Sequence, residues 1–283
     1  MKVGYLGPKA TFTNMAVNLI FPDVEKLPYL TIPNCMDAVM MGEVEAALVP
    51  VENTLEGSVN ITLDYLIHEV DLPINGEITV PIKQHLMVHP NFKDNWKNVE
   101  VVYSHSHAIA QCHRFLHTEW NGIRCENTTS TAAAAQYIKE NPNLAAASIG
   151  NELTAAEYGL EIVKRNIHDF DNNHTRFIII SKKDTAFHPI ECNHIGHKTS
   201  LMVSLPADES GALHQVLSAF AWRKLNLVKI ESRPTKTGLG NYFFIIDIDR
   251  ELDDVLIPGA MSELEAIGCE VKLLGSYPFY AGI

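Results

Sequence analysis

Thr175, Arg176 and Phe177 set a hydroxyl, a permanent cation and an aromatic ring side by side, after the polar run 169–174 and just before Ile178, Ile179 and Ile180. A donor, a positive charge and an apolar wall at a strand edge suit a small anionic substrate that carries a ring. Chance produces many such triplets, so its weight comes from four other segments: 7–13, 52–58, 104–107 and 128–131. Each follows an apolar run, opens a helical pattern and is rich in hydroxyl or amide side chains. Helix starts expose unpaired N–H groups and roughly half a positive charge. Several converging would hold an anion without a cluster of lysines. In open α/β sheets ligands sit beyond the carboxyl ends of the strands, where these loops fall. Any one loop is better read as an ordinary N-cap; four beside Thr175 favour a ligand cleft.

Individual candidates follow from this. Thr175 is the candidate donor. Glu52 is read as a proton relay or hydroxyl anchor, or else as a carboxylate favouring the adjacent helix start. Thr11, Asn53, Ser104, Ser130 and Thr131 are polar groups at the mouths of strands. Gln111 lies seven residues, two helical turns, beyond Ser104 and is expected on the same face. Arg176 is expected to pair with a substrate carboxylate or with Glu52, and Phe177 to pack the cleft wall. His113 and His117 are one turn apart, and His188, Cys192, His194 and His197 fall within ten residues. Neither set has the paired arms of a structural zinc site, so no metal is expected. Phosphate-loop, dinucleotide and nucleophile-elbow motifs are absent.

The elements that must position these residues come from a chain of 283 residues, enough for about two domains. Its 46% hydrophobic and 20% charged content is that of a folded protein. A net charge of −12 argues against nucleic acid or an anionic membrane as partner. With no signal-peptide core, no membrane-length apolar run and five unpaired-looking cysteines, a reduced cytoplasmic setting is expected. Up to residue 180, apolar runs (3–6, 46–51, 78–88, 99–103, 145–149, 177–181) alternate with helix-period segments, the pattern of an α/β protein. The helices are expected near Thr13, from Asn34 to Gly42, near Ser58, Ser104 and Ser130, and in a short segment ending at Gly159. Residues 184–198 lack periodicity and read as a linker. A second unit follows: strand 200–205, helix 211–225, strands 227–233 and 241–249 joined by a glycine-rich turn at 237–240, helix 252–267, and a strand from Val271. This is the βαββαβ, ferredoxin-like order.

Taken in order, Gly7-Pro8 with Thr11-Phe12-Thr13, Val49 through Thr54, Ser104-His105 with Gln111-Cys112, Ser130-Thr131-Ala132, and Asn173 through Phe177 resemble the prephenate dehydratase family. The C-terminal unit resembles that family's ACT regulatory domain, Gly211-Ala212-Leu213 and Glu231-Ser232-Arg233-Pro234 matching its two ligand loops. The resemblance implies a two-lobed catalytic domain like a type II periplasmic binding protein, with lobe one at 1–77 plus 167–183 and lobe two at 78–166. The linker at 184–198 and an ACT domain at 199–283 would follow. It implies decarboxylating dehydration of prephenate to phenylpyruvate, water and carbon dioxide in L-phenylalanine biosynthesis. It also implies L-phenylalanine as feedback effector at Gly211, Ala212, Leu213, Asn226, Glu231, Ser232, Arg233 and Pro234. Dimers through ACT domains, pairing into a homotetramer, are implied as well. Two positions depart from the family pattern. Ala10 stands where glycine is usual, so its loop is expected to avoid positive φ, and His107 replaces a common glutamine. No chorismate mutase segment precedes Lys2, so a monofunctional chain is expected.

Aromatisation of the ring would drive this reaction, so no cofactor is expected, and the departing hydroxyl is the difficult group. A threonine hydroxyl is too weak an acid to surrender its proton outright. Thr175 would donate a hydrogen bond or pass on a proton from Glu52, His174 or water. Because a cation beside the leaving carboxylate would hold it back, neutral donors (Ser104, Ser130, Thr131, Asn53) are expected around the ring and ionic anchoring at the pyruvyl end. The rivals are arogenate dehydratase, the same chemistry on the amino form, and a non-catalytic small-molecule sensor.

Overall fold

The structure, a computed structural model, describes residues 1–182, 189–206, 210–235 and 242–282. Strands β1 (Lys2–Leu6), β2 (Glu25–Tyr29) and β3 (Ala46–Asn53) run parallel, joined by helices α1 (Phe12–Ile20) and α2 (Ile32–Met41). Helix α1 forms because Thr11 caps it, accepting from the Asn14 N–H, and because Ala16, Val17 and Ile20 share one face and pack with Tyr5 and Ile78. Helix α2 is capped by Thr31 rather than by Asn34, the expected cap. It ends as predicted at Gly42, whose φ of 76° is one that glycine adopts without strain. A two-residue strand β4 (Gly57–Ser58) folds back on β3, and α3 (Asn60–His68) leads into β5 (Ile74–Pro81).

The chain then crosses into a second sheet. There lie β6 (His85–Val88), β7 (Val101–Ser104), α4 (Ser106–Ala110), α5 (His113–Glu119), β8 (Arg124–Asn127), α6 (Thr131–Glu140), β9 (Ala146–Gly150), α7 (Glu152–Tyr158) and β10 (Glu161–Lys164). Its strand order is β10-β6-β9-β7-β8. The return crossing delivers β11 (His174–Ser181), which inserts antiparallel between β5 and β3. Two lobes joined by two crossings result. The apolar run 78–88, read as one strand, is two strands in two sheets. The crossing therefore falls at 82–84 rather than after residue 77. The polar pair Lys83-Gln84 marks the break.

The C-terminal unit has the expected βαββαβ order: β12 (Cys192–Ser204), α8 (Ala212–Ala221), β13 (Leu227–Pro234), β14 (Tyr242–Ile248), α9 (Leu256–Ala266) and β15 (Glu270–Gly282). The strands lie in the order β13-β14-β12-β15, and both helices cover one face over Leu201, Val203, Phe220, Ile246 and Ile257. The predicted linker is corrected in part, since Cys192 through Lys198 are already strand, paired with the end of β15. The predicted turn at 237–240 and His188 lie outside the described residues. Beyond Ser276, β15 also pairs in parallel with β5 (Phe279 with Glu77, Ala281 with Thr79), so lobe one and the C-terminal unit share a continuous sheet. Gly275 permits this approach, because a Cβ there would lie 2.1 Å from the Ile74 carbonyl oxygen. Among the described residues no helix is long and apolar enough to cross a membrane, and no group of three or more His, Cys, Asp or Glu is placed to hold a metal.

Candidate active site

Between the lobes lies an open cavity of about 530 Å³. All four loops singled out in the sequence reach it: Gly7 and Phe12 from the first, Asn53 and Glu56 through Val59 from the second, His105 and His107 from the third with Gln111 just beyond, Thr129 through Thr131 from the fourth. Thr175 faces the same space, and Ile82 and Gln84 line it where the chain crosses.

Thr175 and Asn53 are register partners on β11 and β3, so their side chains stand together on the cavity face. The Asn53 carboxamide is fully used. Its Oδ1 accepts from the N–H groups of Leu55 and Glu56 (3.0 and 3.1 Å). Its Nδ2 donates to Asn173 Oδ1 (2.9 Å), to Thr175 Oγ1 (2.9 Å) and to the His174 carbonyl (3.2 Å). Thr175 Oγ1 is thus an acceptor towards Asn53. Its own hydrogen has no partner among the described residues, which leaves it for a ligand.

On the second lobe, Ser130 caps α6 by accepting from the Ala133 N–H (3.0 Å), and Thr131 begins that helix. Gln111 reaches the cavity, but not along a two-turn helix face. Helix α4 ends at Ala110, Gln111 is its C-cap, and Gln84 Nε2 approaches Gln111 Oε1 at 3.4 Å. Gln84 went unnoticed in the sequence; it is buried, and its Oε1 lacks a hydrogen-bond partner among the described residues. His105 caps α4 through Nδ1, and burial, reinforced by neighbouring His107, holds its pKa below the usual histidine value. His107 Nδ1 lies 3.5 Å from the Glu56 carboxylate at the rim. Among the described residues no lysine or arginine lines the cavity, which runs against the expectation of strong ionic anchoring at one end of it.

Several candidates stand elsewhere. Ser104 is fully buried and donates to the Ile149 carbonyl (2.7 Å). Thr11 caps α1 and donates to the Pro8 carbonyl (3.1 Å). Phe177 follows a bulge and is core, packed with Val3 and Tyr5. Glu52 and Arg176 form a register pair on the opposite face of the sheet, against the C-terminal unit. Arg176 binds Glu52 (2.7 Å), Glu77 (2.7 Å) and Asp247 of β14 (2.8 Å). Burial opposes its charge, but Glu77 and Asp247 outweigh burial and drive its pKa further up. Lys198 adds a 2.6 Å contact to Glu77, and Lys229 one of 3.0 Å to Glu52. Desolvation alone would raise the Glu52 pKa; Lys229 and Arg176 together hold it below the usual value.

Ala10 also departs from expectation, with φ at 64°. Its N–H donates to Asn14 Oδ1 (2.9 Å), and its carbonyl accepts from Asn151 Nδ2 (3.1 Å) and Thr154 Oγ1 (2.8 Å) of the other lobe. These partners outweigh the cost of a left-handed alanine and tie the two lobes together.

In the C-terminal unit, Gly211 has φ of 91° and caps α8, beside a hollow of about 190 Å³ that Ala212 helps to line. Leu213 is 40% exposed, whereas Val216 and Phe220 of the same helix are buried. Asn226 is exposed, and its carbonyl accepts from the Asp249 N–H. The 231–234 segment splits by strand alternation: Ser232 and Pro234 face outward, while Glu231 and Arg233 turn towards the catalytic body.

Residues 3–185 match the family model described as prephenate dehydratase, and residues 199–267 the model of the ACT domain. The chain is 58% identical over 283 residues to a prephenate dehydratase of Bacillus subtilis, covering 99% of both. It is 38% identical to a bifunctional chorismate mutase/prephenate dehydratase of Aquifex aeolicus, over 98% of this chain and 74% of that one. A prephenate dehydratase from Arthrobacter aurescens, solved in complex with L-Phe, has a TM-score of 0.86 at 34% identity, covering 98% of this chain and 90% of that one.

Proposed function

The chain belongs to the prephenate dehydratase family and carries an ACT domain, and from that premise we propose that it converts prephenate to phenylpyruvate in the interlobe cavity, under control by L-phenylalanine. The carrying observation is the 2.9 Å hydrogen bond from Asn53 Nδ2 to Thr175 Oγ1. It occupies the hydroxyl as an acceptor and leaves its hydrogen for the substrate. As the bond to the ring carboxylate breaks, its electron pair enters the ring and the ring C–O bond opens. The departing hydroxide takes one proton and leaves as water, and the carboxylate leaves as carbon dioxide. Thr175 donates to that oxygen as negative charge builds on it, and solvent supplies the net proton. The Glu52 carboxylate, committed to Arg176 and Lys229, takes no part.

That no lysine or arginine is among the described lining residues favours the chemistry. A carboxylate in a neutral, poorly hydrated setting is destabilised relative to neutral carbon dioxide. The pyruvyl carboxylate is met instead by N–H groups at the starts of α1 and α6 and by His105 and His107. The effector reading rests on the relative solved with L-Phe. It assigns to the amino acid the outward-facing set Gly211, Ala212, Leu213, Asn226, Ser232 and Pro234. The same exposed face would pair two chains into a dimer, and dimers into a tetramer, in the cytoplasm.

Incubating the purified protein with prephenate and following phenylpyruvate tests the proposal, with arogenate as a parallel substrate. Turnover of prephenate that falls as L-phenylalanine is added is the expected result. No phenylpyruvate at any enzyme concentration would reject it.

A further inference from the structure

From Lys229 onward, strand β13 presents every second side chain to the catalytic body, and all three of these, Lys229, Glu231 and Arg233, grip one stretch of it. Lys229 Nζ lies 3.0 Å from Glu52 Oε2 and 3.2 Å from Ser58 Oγ. Ser58 Oγ donates to Glu231 Oε2 at 2.5 Å, and Lys229 in turn pairs with Glu231 at 3.0 Å. Arg233 holds Asp64 (2.8 Å) and Asn60 (2.8 Å) on α3. Ser58 is a cavity-lining residue, as are Asn53, Glu56, Gly57 and Val59 of the same turn. The first half of that turn is fixed by Asn53 and His174, which bind Leu55, Glu56 and Thr54, whereas the Ser58 hydroxyl is held, among the described residues, by Lys229 and Glu231 alone.

We infer that Lys229 and Glu231, on the C-terminal unit, are positioning residues for the prephenate site, holding Ser58 and the 53–59 turn where the substrate needs them. The inference deepens the proposed function and rests on it. Lys229 and Glu231 are only 10% and 18% exposed, so their charges face each other, Glu52 and Ser58 rather than water. The other row of β13, Val228, Ile230, Ser232 and Pro234, is exposed. A pleated strand is stiff across its two faces. A ligand or partner chain that shifts the outer row therefore shifts the inner row, and with it the cavity wall. The regulatory unit thus acts on the site by direct contact through one strand.

The test uses the full chain and the variants Lys229→Met, Ser58→Ala, their combination, and Lys229→Arg. Lys229→Met and Ser58→Ala should each raise KM for prephenate about 5- to 20-fold with a smaller fall in kcat. The double variant should be little worse than either single one, because both break the same connection. Lys229→Arg should recover most of the loss. In Lys229→Met, L-phenylalanine should bind within about threefold of the parent by equilibrium dialysis, yet inhibit markedly less. Single-variant effects that multiply in the double variant, or unchanged KM and unchanged inhibition in both, would overturn the inference. If Lys229→Met fails to fold, Ser58→Ala alone decides by the same two readings. A parent protein that makes no phenylpyruvate would instead refute the proposed function, so the two failures are distinguishable.

Discussion

Ala10 adopts a left-handed backbone that costs an L-residue about 1–2 kcal/mol. Glycine would remove that strain while adding unfolded-state entropy worth about 0.4–1 kcal/mol. The buried Ala10 methyl is worth about 0.8 kcal/mol to the parent as well. Ala10→Gly should therefore be close to neutral, within about 1 kcal/mol, read as a urea midpoint little changed at constant slope. A loss of about 2 kcal/mol or more would contradict the strain argument. Nothing local announced this conformation, because its causes, Asn151 and Thr154, lie over 140 residues away in the other lobe. Glu52 and Arg176 are a different case. Their neighbours Asn53 and Thr175 line the cavity, and adjacent strand residues point to opposite faces. Strand alternation alone separates Thr175 from Arg176, and the motif, read as a block, concealed it. Ser104 illustrates a further limit: a hydroxyl at a strand end serves a ligand or a neighbouring carbonyl equally well, and here Ile149 claims it.

At the scale of elements, the central strands were legible because β3 and β11, buried on both sides, read as continuous apolar runs. The edges were not. Strands β2, β8 and β10 are short and partly exposed and carry no apolar signature. The first half of β12 is polar because its partner is only the tail of β15. That tail joins the C-terminal unit to β5, and Gly275 is where the two backbones come closest. Gly275→Ala would force a methyl group against the Ile74 carbonyl, and it should cost on the order of 3 kcal/mol. Differential scanning calorimetry should show this as a Tm several degrees lower. An unchanged Tm would mean that the strands separate there without penalty.

For the whole molecule, a connected network of three cations (Arg176, Lys198, Lys229) and four carboxylates (Glu52, Glu77, Glu231, Asp247) joins the catalytic body to the C-terminal unit, with the pairs Arg233–Asp64 and Lys272–Asp71 beside it. Such a network confers geometry more than stability, but removing one member leaves its partner uncompensated. Glu52 has a folded-state pKa below its unfolded value of about 4.3. Its contribution is therefore complete above that pH and is lost as pH falls through the lower, folded value. Glu52→Gln should lower Tm at pH 7, and the gap to the parent should close as pH drops below about 4. A gap that stays constant down to pH 3 would mean that the carboxylate's charge is not what holds the two units. The division into two units was legible from the βαββαβ order. Their fusion into one sheet was not, since neither strand at the junction carries a sign of its distant partner.

Turnover by Thr175→Ala tests the central claim most directly. Loss of a donor aimed at the departing oxygen should lower kcat by about 10²–10³, with a smaller change in KM, while Thr175→Ser should keep most of the parent rate. Near-parental kcat in the alanine variant would contradict the account.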